Sequence, residues 1–403
     1  MSARPLSMLA AALLGALLAA PALAGEWQLH GFAAQGWTLS EGNNLNGESQ
    51  NGGGSFDFRE IGLNASWRPT PRGLLAAQVA SVQQGEVTEE DLTLDYLLAD
   101  FVVFQGPRKR VGLRGGKLKL PFGFYNDSRD AIFSRPSVLL PQSVYLDNDG
   151  ARAFGYFSSW GASVYGDFYT GAHALNWQLQ ALVDSRLEDT AAISILRNPS
   201  RGRFRIEDGA TLRLGDDIGG GRWRIALTLG TAGLRYSPQD EQVFDMAGDF
   251  RLDQLFLSAE HNRERISWTA EIVRRRIRLD DLISHPAVSS QIDQDSVGFY
   301  LQSVYRLSER WSLLARYDER QRELQDRGGQ RQSRETGLPR HYFFGRDFTL
   351  GAQYSPRPQW GVWAEVHIVD GALWVNPLDN PDYASGAAER HWSALTLMAA
   401  WRF

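Results

Sequence analysis

Residues 394–403 close the chain with ALTLMAAWRF. Counting back from Phe403 in steps of two gives Trp401, Ala399, Leu397 and Leu395, while Arg402, Ala400, Met398 and Thr396 lie between them. One face is wholly apolar and the other is mixed. A period of two marks a β-strand whose faces meet different surroundings. A soluble sandwich would turn the apolar face inward, and a membrane barrel would turn it outward. The last strand alone leaves both open, in a chain whose mean hydropathy is −0.33.

The other end of the chain narrows the choice. Arg4 precedes the apolar run LSMLAAALLGALLAA, and Ala22–Ala24 offer small residues before Gly25. This pattern predicts a secretory signal peptide over 1–24 and a mature domain over 25–403. No later run reaches the ~20 apolar residues a spanning helix needs, so a membrane-spanning domain would have to be a closed barrel. The chain has no cysteine, so hydrogen-bonded strands, not disulfides, must hold an exported fold together. A net charge of −5 argues against a nucleic-acid partner. Thirteen Trp, thirteen Tyr and twenty Phe are enough to furnish interfacial girdles.

The same alternation recurs at Ile61, Leu63, Ala65, Trp67 and at Leu175, Trp177, Leu179, Ala181, Val183, with further copies up to Tyr354. It predicts an all-β fold of about sixteen strands, centred near 33, 62, 79, 98, 116, 164, 179, 209, 228, 256, 271, 301, 316, 351, 364 and 397. Tight turns such as RPTPRG, QGPRKR and SPRPQ alternate with long connections near 41–55, 124–151, 185–203, 237–250, 279–293, 321–345 and 370–390. Only the link near 85–91 breaks that rhythm. Short turns at one end and long loops at the other, with both termini on the short-turn side, describe a transmembrane antiparallel barrel of the bacterial outer membrane. The final strand then pairs with the first. That places Trp401 and Phe403 in the aromatic girdle, where they serve closure, and a terminal Phe after alternating apolar residues also resembles the signal by which outer-membrane proteins are recognised for assembly.

The segment 124–151 carries Asp127, Arg129, Asp130, Arg135, Asp147 and Asp149 around an apolar middle, AIF and SVLLP, with Arg152 just beyond. Apolar residues in a charged loop suggest packing, here as an inward fold that narrows the pore. Lys117 and Lys119 share parity with the outward Val111 and Leu113. They reach the lumen only if Gly115–Gly116 forms a face-switching bulge, and otherwise snorkel at the outer interface. By parity Arg205, Arg213, Arg224, Arg275, Arg306, Arg316 and Arg320 face the lumen, as do Glu60, Asp184, Glu207, Glu260, Glu271, Asp318 and Glu365. Mixed signs imply mild rather than strong anion preference.

GKLKLPFGFYNDSRD (116–130) followed by LLPQSVY (139–145) resembles the fifth strand and constriction loop of Gram-negative sixteen-stranded porins, the porin O and porin P (phosphate-selective) type in particular. The resemblance implies a homotrimer whose third long loop dips into each pore. It also implies that Lys117 and Lys119 contribute to anion preference.

Other chemistry finds little support. DNDG (147–150) lacks the Glu and the flanking helices of a calcium loop, and the seven histidines show no His-x-x-x-His pair, so neither metal nor cofactor is expected. His261 beside Asn262 is the nearest approach to a hydrolytic pair, and it lies in a short turn. The expectation is therefore a non-enzymatic channel for small hydrophilic solutes or ions, with lipid and lipopolysaccharide as partners. An outer-membrane hydrolase of the esterase or phospholipase type, or a structural or adhesin barrel, stands as the alternative.

Overall fold

The computed structural model describes residues 25–86, 92–129, 131–145, 158–187, 202–238, 248–281 and 294–403. The candidate signal peptide, Asp130, Asp147, Asp149 and Arg152 lie outside these residues. The strands are β1 (Glu26–Glu41), β2 (Ser55–Thr70), β3 (Gly73–Gln84), β4 (Thr93–Gln105), β5 (Lys109–Lys119), β6 (Ser158–Thr170), β7 (His173–Arg186) and β8 (Gly202–Ile218). They continue as β9 (Trp223–Pro238), β10 (Gly248–Asn262), β11 (Ile266–Asp281), β12 (Gln294–Arg306), β13 (Trp311–Gln321), β14 (Phe344–Arg357), β15 (Trp360–Asp370) and β16 (His391–Arg402). Each pairs antiparallel with its sequence neighbours, and β1 pairs with β16, so the sheet is a closed barrel of sixteen strands as expected.

Burial is inverted relative to a soluble protein. In β16 Leu397 and Trp401 are exposed while Thr396, Met398 and Ala400 are buried. The same holds around the ring, where Leu179, Ile225, Leu257, Leu301 and Leu350 stand outside and Gln180, Thr228, Ser258, Gln302 and Thr349 inside. A continuous apolar exterior around a polar interior is what a barrel needs when its solvent is hydrocarbon.

Closure also answers the question of the terminal aromatic. The Phe403 N–H donates to the Gly31 carbonyl at 3.0 Å, and Gly31 returns the bond at 3.3 Å. A Cβ on Gly31 would lie 2.5 Å from the Phe403 ring, so glycine lets the ring settle there. Trp401 packs beside Phe403 at 5.2 Å, and the Trp27–Trp67, Trp223–His261 and Trp311–Tyr354 pairs extend an aromatic belt round the short-turn end. His261 is thus an aromatic neighbour of Trp223 and Trp268, its Nδ1 3.1 Å from the Arg222 carbonyl.

Candidate functional site: a loop held across the barrel

After β5 the chain leaves the wall at Leu120-Pro121, since a proline has no N–H to give the ladder. Thr228 of β9 donates to the Pro121 carbonyl at 3.1 Å, and Phe122 stacks on Phe256 of β10 at 5.2 Å. At Gly123, φ is +59°, and a Cβ would meet the Tyr145 hydroxyl at 2.3 Å, so the turn requires glycine. Residues 120–145 then run across the barrel interior through two short 3-10 turns, Asn126–Ser128 and Ile132–Ser134, to a single helical turn, α1 (Gln142–Tyr145).

Three inward carboxylates on alternate strands hold this segment. Glu271 of β11 accepts the Phe124 N–H at 2.9 Å and hydroxyls from Tyr145 (2.5 Å), Tyr300 (2.6 Å) and Ser258 (2.5 Å). Burial pushes the Tyr145 hydroxyl well above its ordinary value, with Glu271 adding to the rise, so Tyr145 remains a donor. Asp318 of β13 accepts the N–H groups of Gln142 (2.5 Å) and Ser143 (3.1 Å) and so caps the first turn of α1. Glu365 of β15 accepts those of Val138 (2.6 Å) and Leu139 (3.3 Å).

Cations hold the segment's carbonyls. Arg275 donates to Ser143 at 3.2 Å and to Val144, and Arg316 donates to the Ser137 hydroxyl and the Leu139 carbonyl, both at 3.0 Å. On the far side the segment's own Arg135 meets Glu60 of β2 at 2.8 Å, both side chains fully buried.

Apolar packing accounts for AIF and SVLLP. Ile132, Val138 and Leu139 join Phe58, Trp363 and Met398 in one cluster, while Leu140, Val144 and Tyr145 join Phe256, Val273 and Tyr300 in another. The long-loop end is filled further by Tyr342 and Phe343 from the β13–β14 loop and by Ala372–Val375 from the β15–β16 loop. That β13–β14 loop includes the helix α2 (Gln330–Thr336).

The residues singled out from sequence divide accordingly. Arg129 and Arg135 are buried in the crossing segment, Arg135 donating to the Arg129 carbonyl at 2.5 Å, and Asp127 is exposed. Arg275, Arg316 and Arg320 are buried on the inward face, and Arg213 is half-buried on the same face as Thr211. Arg224 is half-exposed, bonded to Asp217 and Glu260 at 3.2 Å, with its guanidinium 4.9 Å from the Phe124 ring centre. Arg306 stands exposed at the turn end of β12.

Two expectations are corrected. Pairing runs unbroken through Gly115 and Gly116, so no bulge switches the face there. Lys117 sits opposite the exposed Leu97 and Trp160, and its Nζ donates to the Leu94 carbonyl; Lys119 reaches Asp95 at 2.5 Å. The second correction is Arg205. Pairing of β8 with β9 shifts between Ile206 and Asp208, with the result that Phe204 and Ile206 point inward while Arg205 is exposed outside on Asp184. Asp184 and Glu207 turn outward with it, Glu207 meeting Arg235 at 3.2 Å.

Sequence parity placed Glu271, Asp318 and Glu365 inside but missed their task. Their partners are backbone N–H groups of a distant segment, which no side-chain pattern displays. Asp347 and His367, 2.7 Å apart and buried beside Glu365, were missed altogether.

No protein-family profile matches the sequence, and no curated protein does so either. Solved structures do share the fold. The outer membrane channel DcaP of Acinetobacter baumannii aligns over 94% of this chain and 97% of its own, with TM-score 0.57 and 10% identity. OmpF of Salmonella typhi aligns over 94% and 98%, with TM-score 0.57 and 12% identity. An anion-selective porin from Comamonas acidovorans aligns over 94% and 100%, with TM-score 0.56 and 10% identity. The barrel architecture is therefore shared with solved outer-membrane porins and channels over 94% of this chain, with little sequence in common.

Proposed function

We propose that the protein is an outer-membrane channel through which small hydrophilic solutes diffuse, narrowed by the segment that crosses its interior. The observation that carries this reading is the inversion of the barrel: polar side chains line the inside of a ring of sixteen strands, and barrels of ~16–18 strands leave an aqueous passage. The apolar exterior and its aromatic belt suit a bilayer, and a homotrimer is the assembly that the resemblance to porins favours.

Ion preference on this reading is weak. Arg275 and Arg316 are spent on loop carbonyls, Arg135 on Glu60, and three carboxylates on loop N–H groups. Arg224, faced by two carboxylates, stays partly exposed beside the segment. Outside, ion pairs such as Arg274–Asp295 and Arg390–Asp370 ring the long-loop end, where they would sit among lipopolysaccharide phosphates.

The hydrolase alternative gains nothing from the buried Asp347–His367–Glu365 group. Its nearest hydroxyl, Thr349, is already bonded to Asp347 at 2.9 Å, and the group lies under the crossing segment. Planar-bilayer recording on the purified chain tests the proposal. Step-like conductance with a reversal potential near zero under a salt gradient is expected. Absence of steps together with hydrolysis of lipid esters would overturn it.

A further inference from the structure

The apolar part of the outer wall is lower at β10 and β11 than beside them. The outward series of β11 runs Trp268, Ala270, Ile272, Arg274, Arg276, Arg278, whereas that of β9 runs Trp223, Ile225, Leu227, Leu229 and meets no charge before Arg235. On the ladder Arg274 stands between Leu255 and Val297, with an apolar neighbour on either side. A guanidinium on the lipid face of a barrel costs more the deeper it lies, so at this level it calls for an anion beside it.

Acidic partners fall short here. Arg274 pairs with Asp295 at 2.6 Å and Arg278 with Asp253 at 2.5 Å, while Arg235 of β9 is met by Asp249 and Glu207. Arg251 and Arg276 are exposed and make no ion pair or hydrogen bond among the described residues. Arg251 also lies directly opposite Arg278 across the ladder, and like charges so placed repel. Just below, the wall is hollowed. Ala259 and Ala270 face each other and floor an apolar groove of about 920 Å³, walled by Ile225 and Leu257 on one side and by Ile272 and Leu301 on the other. From that floor to Arg274 is about 13 Å along the strand at ~3.3 Å per residue, within the span of one acyl chain.

We propose that this face binds one phosphorylated lipid at the long-loop end, with its phosphates on Arg251 and Arg276 and one acyl chain in the groove over Ala259 and Ala270. A planar guanidinium fork takes phosphate oxygens two at a time, and a headgroup with two phosphates supplies the negative charge that Asp253 and Asp295 leave unmet. A lipid without phosphate would fill the groove and leave the arginines unanswered. Free phosphate would answer the arginines and leave the groove bare. This site rests on the outer-membrane part of the reading above, and it turns a general contact with lipopolysaccharide phosphates into a defined, saturable one. Because binding is read as mass and not as conductance, it can fail while the channel reading stands.

The test is native mass spectrometry of the delipidated full-length protein in detergent, with diphosphorylated lipid A, its phosphate-free form and inorganic pyrophosphate as probes. The diphosphorylated lipid should saturate at one per chain and bind about tenfold more tightly than the phosphate-free form, and pyrophosphate should not displace it. Arg251→Gln with Arg276→Gln should weaken binding about tenfold. Arg331→Gln with Arg334→Gln, an equal loss of charge on the exposed helix α2, should leave it unchanged. If the first pair fails to fold, Ala270→Leu fills the groove floor with every arginine in place and should weaken binding a few-fold. Equal affinity for the two lipid forms, equal loss in the two arginine pairs, affinity unchanged in Ala270→Leu, or displacement by pyrophosphate would overturn the proposal.

Discussion

Arg274 and Arg275 are neighbours in sequence and live in different media. Arg274 points outward, exposed, and forms a two-pronged pair with Asp295 at 2.6 and 2.7 Å. Arg275 points inward, 5% exposed, and holds the carbonyls of Ser143 and Val144 and the side chain of Gln254. The outer arginine serves one strand pair, and the inner one ties a loop to the wall. Equal charges one residue apart therefore differ in worth, because water screens the first and is excluded from the second.

The contrast can be broken most severely at Glu271, which collects one backbone and three hydroxyl donors in the interior. Glu271→Ala takes the acceptor away from one buried N–H and three hydroxyls, and a loss of about 3–5 kcal/mol is expected, since each buried donor left unsatisfied costs about 1–3 kcal/mol. Thermal unfolding in detergent would report it, and protease cleavage within 120–145 would show the segment released. If unfolding and cleavage match the native protein, the segment is not held by this carboxylate.

Asp379 provides an intermediate case at the loop end. Burial raises its pKa from 3.8 to about 6, with Glu86 and Asp57 adding to the rise. A carboxyl raised in the folded state contributes stability that is complete below about pH 4 and is lost as pH climbs through about 6. The loop corner should accordingly weaken by roughly 2–3 kcal/mol between those limits. Asp379→Asn should remove that pH dependence, which melting curves at both pH values would detect; an equal dependence in the variant would refute the assignment.

A smaller effect is expected at Gly298, where a Cβ would lie 2.4 Å from the Ser143 carbonyl. Gly298→Val should cost about 1–3 kcal/mol and raise single-channel conductance by pushing α1 off the wall. Smallest of all is Arg274→Ala, expected to change stability by less than about 1 kcal/mol and to lose even that in high salt. A larger, salt-insensitive loss would mean that the outer pair is shielded and that the contrast with Arg275 is false.

Much of this was legible beforehand because strand alternation and turn rhythm are local signals. All sixteen strand centres were readable, and so was the pairing of Phe403 with the first strand. Parity placed Arg275, Arg316 and Asp318 inside. It failed at Arg205 and Asp184 because the shift near Glu207 adds one residue to β8 against β9, and nothing in RFRIEDG announces that extra residue. It failed in the opposite sense at Gly115–Gly116, where two glycines invited a bulge that the ladder does without. The clasp on 120–145 was hidden for another reason. It joins carboxylates on β11, β13 and β15 to backbone groups well over a hundred residues earlier in the chain.

That clasp also imposes an order in time. Segment 120–145 follows the fifth strand, yet its anchors lie on β2 and on β9 to β15, most of them synthesised later. A chain assembling from its N-terminus therefore carries this segment with its N–H groups unpaired until the later strands arrive. The last ring contact, Gly31 with Phe403, joins residues nearly the whole chain apart and is the costliest loop to close. The segment is thus an internal tie between early and late parts of the chain, fully bonded only when β2 and the strands from β9 to β15 all stand in place.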